Sequence, residues 1–224
     1  MSRTQNPLTQ RLERHPSAAL LLAQLLAVVL SPFFGDHGAG KAVLGVVSTL
    51  VVGTALYAVR RTPALTVVAL CLGVPAILFV VLEAIHPHSD WIVLTNALLH
   101  APFYFFVSYG LIRYLYDDDR VSTDELYAVG AAFTVVAWGF AYLYVAVQVV
   151  WPGSFSGPGP GPYSWFVLLF LSFSNLTSCG LSDVLPALGQ ARAVMIIEQV
   201  TGVLYIGMVI SRLVGLAVRR SQVP

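Results

Sequence analysis

The residues of this chain best placed to do chemistry lie in one short run, Asn175-Leu176-Thr177-Ser178-Cys179-Gly180-Leu181-Ser182-Asp183. It holds hydroxyls, a thiol, an amide and a carboxylate, yet it stands between long apolar segments. The apolar stretch before it, Tyr163 to Phe173, is shorter than the roughly 20 residues a bilayer requires and reads as a re-entrant half-helix. Irregular polar backbone survives at membrane depth only where protein buries it or where it lines a water-filled path. A short helix, a polar loop and a returning span therefore suit coordination rather than bond-making. Carbonyl and hydroxyl oxygens would replace the water around a cation. Thr177 and Ser178 end the half-helix, where the negative dipole end favours a cation, or they simply cap it. Asn175 faces the cavity or bonds a neighbouring loop. Asp183 stands at the outer mouth, either as part of an acidic ring of several copies or as an acceptor that holds the loop.

The elements that position this run are membrane helices. Apolar residues make up 57% of the chain and charged ones 10%, against about 25% charged in soluble domains. Windows at 17–34, 40–59, 63–84, 91–115, 125–151 and 191–217 are long enough to cross a bilayer. The short loops between them leave no room for a soluble domain. The expectation is an all-α membrane protein with six transmembrane helices plus a re-entrant pore helix and filter loop. The first window reads as an anchor, because its apolar run exceeds that of a cleaved leader and no small-x-small site follows. A net charge of +1 argues against a nucleic-acid partner. Cys71 and Cys179 lie far apart at membrane depth, so no disulfide framework is expected.

Charge orients the spans. Arg3, Arg11, Arg14, Arg60, Arg61, Arg113, Arg120, Arg212, Arg219 and Arg220 fall on one side, and of the 12 basic residues only Lys41 and Arg192 fall on the other. By the positive-inside tendency both termini are cytoplasmic and the loop dips in from outside.

The chain divides into a cytoplasmic arm (1–15), a four-helix block (16–116), a polar linker (117–124), a span–loop–span module (125–217) and a short cytoplasmic tail (218–224). Ser122 or Thr123 can cap the helix that follows the linker, with acids favoured near its start. The connector from Gly153 to Pro162 alternates glycine and proline. It reads as an external turret with no hydrogen-bond ladder, and Pro162 as the first residue of the half-helix.

Residues 120–217 resemble the pore module of bacterial six-span members of the potassium-channel superfamily. The resemblance rests on Thr123-Asp124-Glu125-Leu126-Tyr127, on Trp151-Pro152-Gly153-Ser154-Phe155, on the filter region, and on the last helix from Gln190-Ala191-Arg192 through Tyr205 to Arg212-Leu213-Val214-Gly215-Leu216. It implies a homotetramer around a central pore in a bacterial inner membrane. It also implies a filter at Thr177, Ser178, Cys179, Gly180, Leu181, Ser182 and Asp183. The family's pattern runs Thr-x-Gly-Tyr-Gly-Asp; here Leu181 replaces the aromatic and Ser182 the second glycine. A filter that turns successive carbonyls to one axis needs alternating hands of backbone, which glycine supplies cheaply. A serine at Ser182 would be strained by about 1–2 kcal/mol, so the outer half of the filter is expected to hold potassium loosely.

Glu198 lies inside the last span, where an ionisable residue must face protein; it reads as a structural partner of the filter region or as an ion ligand. Gly202 reads as a bend or a close contact. Glu83, His86, His88 and Asp90 form an outer group that could bind a metal or sense pH, or simply a solvated loop. His100 reads as a hydrogen-bonded interhelical residue. The fourth span has a voltage sensor's place without its repeated arginines, since Arg113 alone falls within it. The function expected is passage of potassium, or of monovalent cations including sodium non-selectively. No catalysis, bound metal or cofactor is implied, and the partners are the lipid bilayer and further copies. The alternatives are a non-conducting scaffold or regulatory subunit, and a transporter or enzyme built on the four-helix block.

Overall fold

The computed structural model describes residues 16–34, 39–59, 63–115, 123–159 and 161–221. In chain order these form α1 (Pro16–Phe34), α2 (Ala39–Val59), α3 (Pro63–Ile85), α4 (Asp90–Leu115), α5 (Thr123–Val150), β1 (Phe155–Ser156), α6 (Trp165–Leu176), β2 (Leu185–Pro186) and α7 (Gly189–Ser221). The N-terminal arm (1–15), expected to be cytoplasmic, the linker up to residue 122 and the end of the tail lie outside the described residues. The linker is shorter than expected, because α5 already starts at Thr123, and α7 runs on past 217 to Ser221.

Among the described residues, Pro16–Phe34, Asp90–Arg113, Asp124–Val150 and Gly189–Arg212 are long and apolar enough to cross a membrane. Leu70–Ile85 and Trp165–Leu176 are shorter apolar stretches. The windows at 40–59 and 63–84 fall on α2 and α3, helices of 21 and 23 residues.

Local chemistry explains the helix ends. Pro16 opens α1, where its missing N–H would have had no partner. The Asp124 carboxylate accepts from Ser17 N at 3.0 Å and Ser17 Oγ at 2.8 Å, placing negative charge at the positive end of α1. The first turn of α5 thus caps α1. Asp90 in the first turn of α4 and Arg113 in its last complement that helix's dipole in the same way.

α5 is buried along most of its length and forms the centre of the fold, whereas α7 is largely exposed. α4 lies against α5 through aromatic pairs. Ring centroids are 5.0 Å apart for Phe105 and Phe140, 5.6 Å for Tyr104 and Trp138, and 4.5 Å for His100 and Tyr142. Gly139 makes room for this packing, since a Cβ there would lie 3.0 Å from Phe105.

The turret corrects one expectation. It carries β1, which pairs antiparallel with β2 beyond the loop, Phe155 opposite Pro186 and Ser156 opposite Leu185. Buried Ser154 supports the pair by accepting from Ala187 N at 2.8 Å. A two-residue ladder survives here because the prolines and most of the glycines lie to one side of it.

Candidate functional site

The short helix α6 is fixed at both ends. Ser164, not Pro162, precedes it, and the Ser164 hydroxyl accepts from Val167 N at 3.5 Å as an N-cap. Gln148 near the end of α5 clasps the approach to α6. Its amide donates to Tyr163 O at 2.8 Å and accepts from Tyr163 N at 3.0 Å. At the other end Thr177 N and Oγ1 both donate to Phe173 O, at 3.1 and 2.7 Å, so Thr177 closes the helix.

Beyond Thr177 the loop folds back on one residue. Cys179 N and Gly180 N donate to Ser174 O at 3.0 and 3.2 Å. Leu181 N and Ser182 N donate to Ser174 Oγ at 2.6 and 3.0 Å. Four successive amides converge on a single buried serine. In a planar trans peptide the carbonyl points opposite to the amide that follows it. The carbonyls of Ser178, Cys179, Gly180 and Leu181 therefore point away from α6. On that open side Thr177 to Leu181 are exposed.

The backbone alternates in hand to achieve this, with φ of 59° at Ser178 and 65° at Gly180. Consecutive residues of opposite hand turn their N–H groups to one side, the geometry of an anion-holding nest, here filled by Ser174. Ser182 is not in the left-handed region, which corrects the expectation of strain there. The alternation stops at Gly180, and the strained serine is Ser178. Ser182 instead uses its hydroxyl to accept from Val184 N at 3.2 Å. Leu181 points outward, 74% exposed. Asp183 is exposed beside the turret, where a Cβ on Gly157 would come within 2.9 Å of the Asp183 carbonyl.

Behind α6 lies a second polar cluster. Glu198 of α7 is fully buried. Its Oε2 accepts from Tyr144 OH and from Asn175 Nδ2, the latter at 2.6 Å, and its Oε1 is hydrogen-bonded to Ser172 Oγ. Asn175 also donates to Met195 O at 3.2 Å and accepts from Gln199 Nε2 at 2.9 Å. Asn175 and Glu198 thus join α5, α6 and α7 and do not reach the open side of the loop. One turn on, Gly202 lies directly on the end of α6, where a Cβ would fall 2.1 Å from Leu176 O. Gly202 serves close packing.

Glu83 is separated from its supposed companions. It is buried on α3 and accepts from Asn96 Nδ2, whereas His86, His88 and Asp90 are exposed. Among the described residues no group of three His, Cys, Asp or Glu side chains could hold a metal. His100 is buried between Thr49 Oγ1 at 3.2 Å and Asn96 O at 3.0 Å, an interhelical bonding role. Cys71 and Cys179 are free thiols.

Reading the sequence missed Ser174, Ser172 and Tyr144. Ser172 and Asn175 stand three apart on α6 and so share a face, a signal for a polar partner on a neighbouring helix. Nothing local marks Ser174 as the loop's anchor.

No match exists among curated proteins or solved structures. Residues 130–219, from within α5 to the end region of α7, match the family model described as an ion channel, and this match indicates a channel rather than an enzyme.

Proposed function

We propose that the chain forms a homotetrameric pore that passes potassium or other monovalent cations, with Thr177 to Ser182 as its filter and Asp183 at its outer mouth. The observation that carries this reading is the loop held by Ser174. It turns consecutive carbonyls to an open side, at the end of a helix too short to cross a bilayer. Such backbone cannot face lipid, because unpaired carbonyls in hydrocarbon cost several kcal/mol each. Further copies of the chain around a water-filled axis satisfy it. The alternation of hand stops at Gly180, so the outer end of the filter departs from the alternating backbone that a tight potassium geometry needs. Weak discrimination between potassium and sodium follows.

Six spans with both termini inside accommodate the same arrangement. Ser17, Asp124, Glu125 and Arg212 gather at one end of the fold, through the Asp124–Ser17 bonds and a Glu125–Arg212 ion pair at 3.7 Å.

The test is cation flux from purified protein in liposomes, with reversal potentials under opposed potassium and sodium gradients. The expected result is a conductance with a modest preference for potassium. No flux from correctly assembled protein would leave the non-conducting scaffold as the better account.

A further inference from the structure

Glu198 is the one carboxyl on α7, and conduction along the open side of the loop does not use it. Its hydrogen-bond partners can be counted proton by proton. The Tyr144 hydroxyl hydrogen meets Oε2. The two hydrogens of Asn175 Nδ2 go to the nearer acceptors, Oε2 at 2.6 Å and Met195 O at 3.2 Å, with the Tyr144 hydroxyl a longer third contact at 3.3 Å. Ser172 breaks the pattern. Its Oγ lies 2.8 Å from the Ala137 carbonyl of α5 and also in hydrogen-bond contact with Glu198 Oε1. A hydroxyl has one hydrogen, and a carbonyl can only accept. A carboxylate at Glu198 would leave Ser172 with two acceptors and one proton to share between them.

We propose that Glu198 latches α6 as a neutral carboxylic acid, its Oε1–H donating to Ser172 while Ser172 donates to the Ala137 carbonyl. Every polar atom in the cluster is then satisfied, which a site fully out of water requires. Glu198 acts here as a positioning residue. Through Ser172 and Asn175 it fixes α6 between α5 and α7, one turn from the Gly202–Leu176 contact and one to two residues from the Ser174 anchor. Losing the proton gives Ser172 two acceptors, breaks its bond to α5 or to α7, and sets a charge in the membrane interior. The titratable group facing Glu198 from α5 is Tyr144. α6 presents Ser172 and Asn175, and α7 adds Gln199 through Asn175, none of them ionisable.

The consequence for conduction rests on the pore reading, but the latch itself does not. The experiment uses the full chain in liposomes. Glu198→Gln can reproduce the acid's pattern, its amide N–H replacing the O–H towards Ser172 and its oxygen accepting from Tyr144 and Asn175. The wild type should melt at lower temperature as pH rises, because the folded chain holds a proton that the unfolded chain releases. Glu198→Gln should match the wild type at mildly acid pH and lack its pH dependence at this site. An infrared difference spectrum between the two should show the carbonyl stretch of a protonated carboxyl at mildly acid pH. A carboxylate band there, or destabilisation by Glu198→Gln as deep as that by Ser172→Ala, would overturn the latch. Wild-type cation flux should change on alkalinisation, and flux through Glu198→Gln should not follow it. A wild-type flux indifferent to pH over the range in which the protonated band disappears would overturn the positioning role. A protonated band with no flux at all would overturn the pore reading and leave the latch standing.

Discussion

Ser174 offers its backbone carbonyl to two amides of the loop and its hydroxyl to two more, so one residue sets the direction of four carbonyls. Ser174→Ala removes the acceptor of Leu181 N and Ser182 N. An unpaired amide costs about 1–3 kcal/mol, so the outer part of the loop should loosen. On the proposed function the potassium-to-sodium permeability ratio should fall towards unity, as read from reversal potentials. An unchanged ratio in a variant that still conducts would show that the hydroxyl is dispensable. Strain separates two neighbouring serines. Ser178 holds a φ of 59°, which disfavours a side chain by about 1–2 kcal/mol. Ser178→Gly should therefore raise the melting temperature, and Ser182→Gly should leave it level or lower it, since Ser182 has no such strain to relieve. The reverse order in paired thermal melts would contradict the assignment. The residue types in the loop were legible in the sequence, and so was the need for alternating hands. Which serine would bear the strain was not, because that depends on where the Ser174 anchor stops the alternation.

At the scale of elements, α4 is clamped to α5 by its aromatic stack and carries Arg113 alone as a basic residue in its last turn. A charge crossing the full membrane potential is worth about 2.3 kcal/mol per 100 mV. A helix with one peripheral arginine and a fixed aromatic seam should therefore give a shallow conductance–voltage curve. Recordings as steep as those of a sensor with several arginines would refute this. The contact between α6 and α7 is just as specific. Gly202→Ala would drive a methyl into the Leu176 carbonyl, and overpacking of this kind costs about 1–3 kcal/mol. The expected result is a lower melting temperature, with no comparable loss for Gly207→Ala, where a Cβ meets open space. Helix positions were readable from apolar windows because a bilayer demands long uninterrupted runs. The lateral fit of one helix on another was not. Tyr144 and Glu198 lie 54 residues apart, and periodicity along each helix does not fix how the two are rotated against each other. The β1–β2 pair escaped for a similar reason, since each strand spans two residues and becomes a strand only through its partner.

For the whole molecule, the Ser17–Asp124 bonds and the Glu125–Arg212 pair mark one end, and the turret with its strand pair marks the other. Protease added to intact cells should spare tags at residues 1 and 224 and cut a site inserted in the turret. External loss of either terminal tag would invert the proposed topology. α7 leaves Ile197, Val203 and Leu204 60%, 61% and 66% exposed, while the polar loop stays uncovered. Lipid can cover the first of these surfaces and not the second. On the proposed assembly, a newly inserted subunit is therefore chemically incomplete until it meets its neighbours. Its survival in the cell becomes a race between encounter and clearance by membrane proteases. Pulse-chase at graded expression should give a half-life that lengthens with subunit abundance, and a half-life indifferent to abundance would mean that a lone chain can shield its own loop.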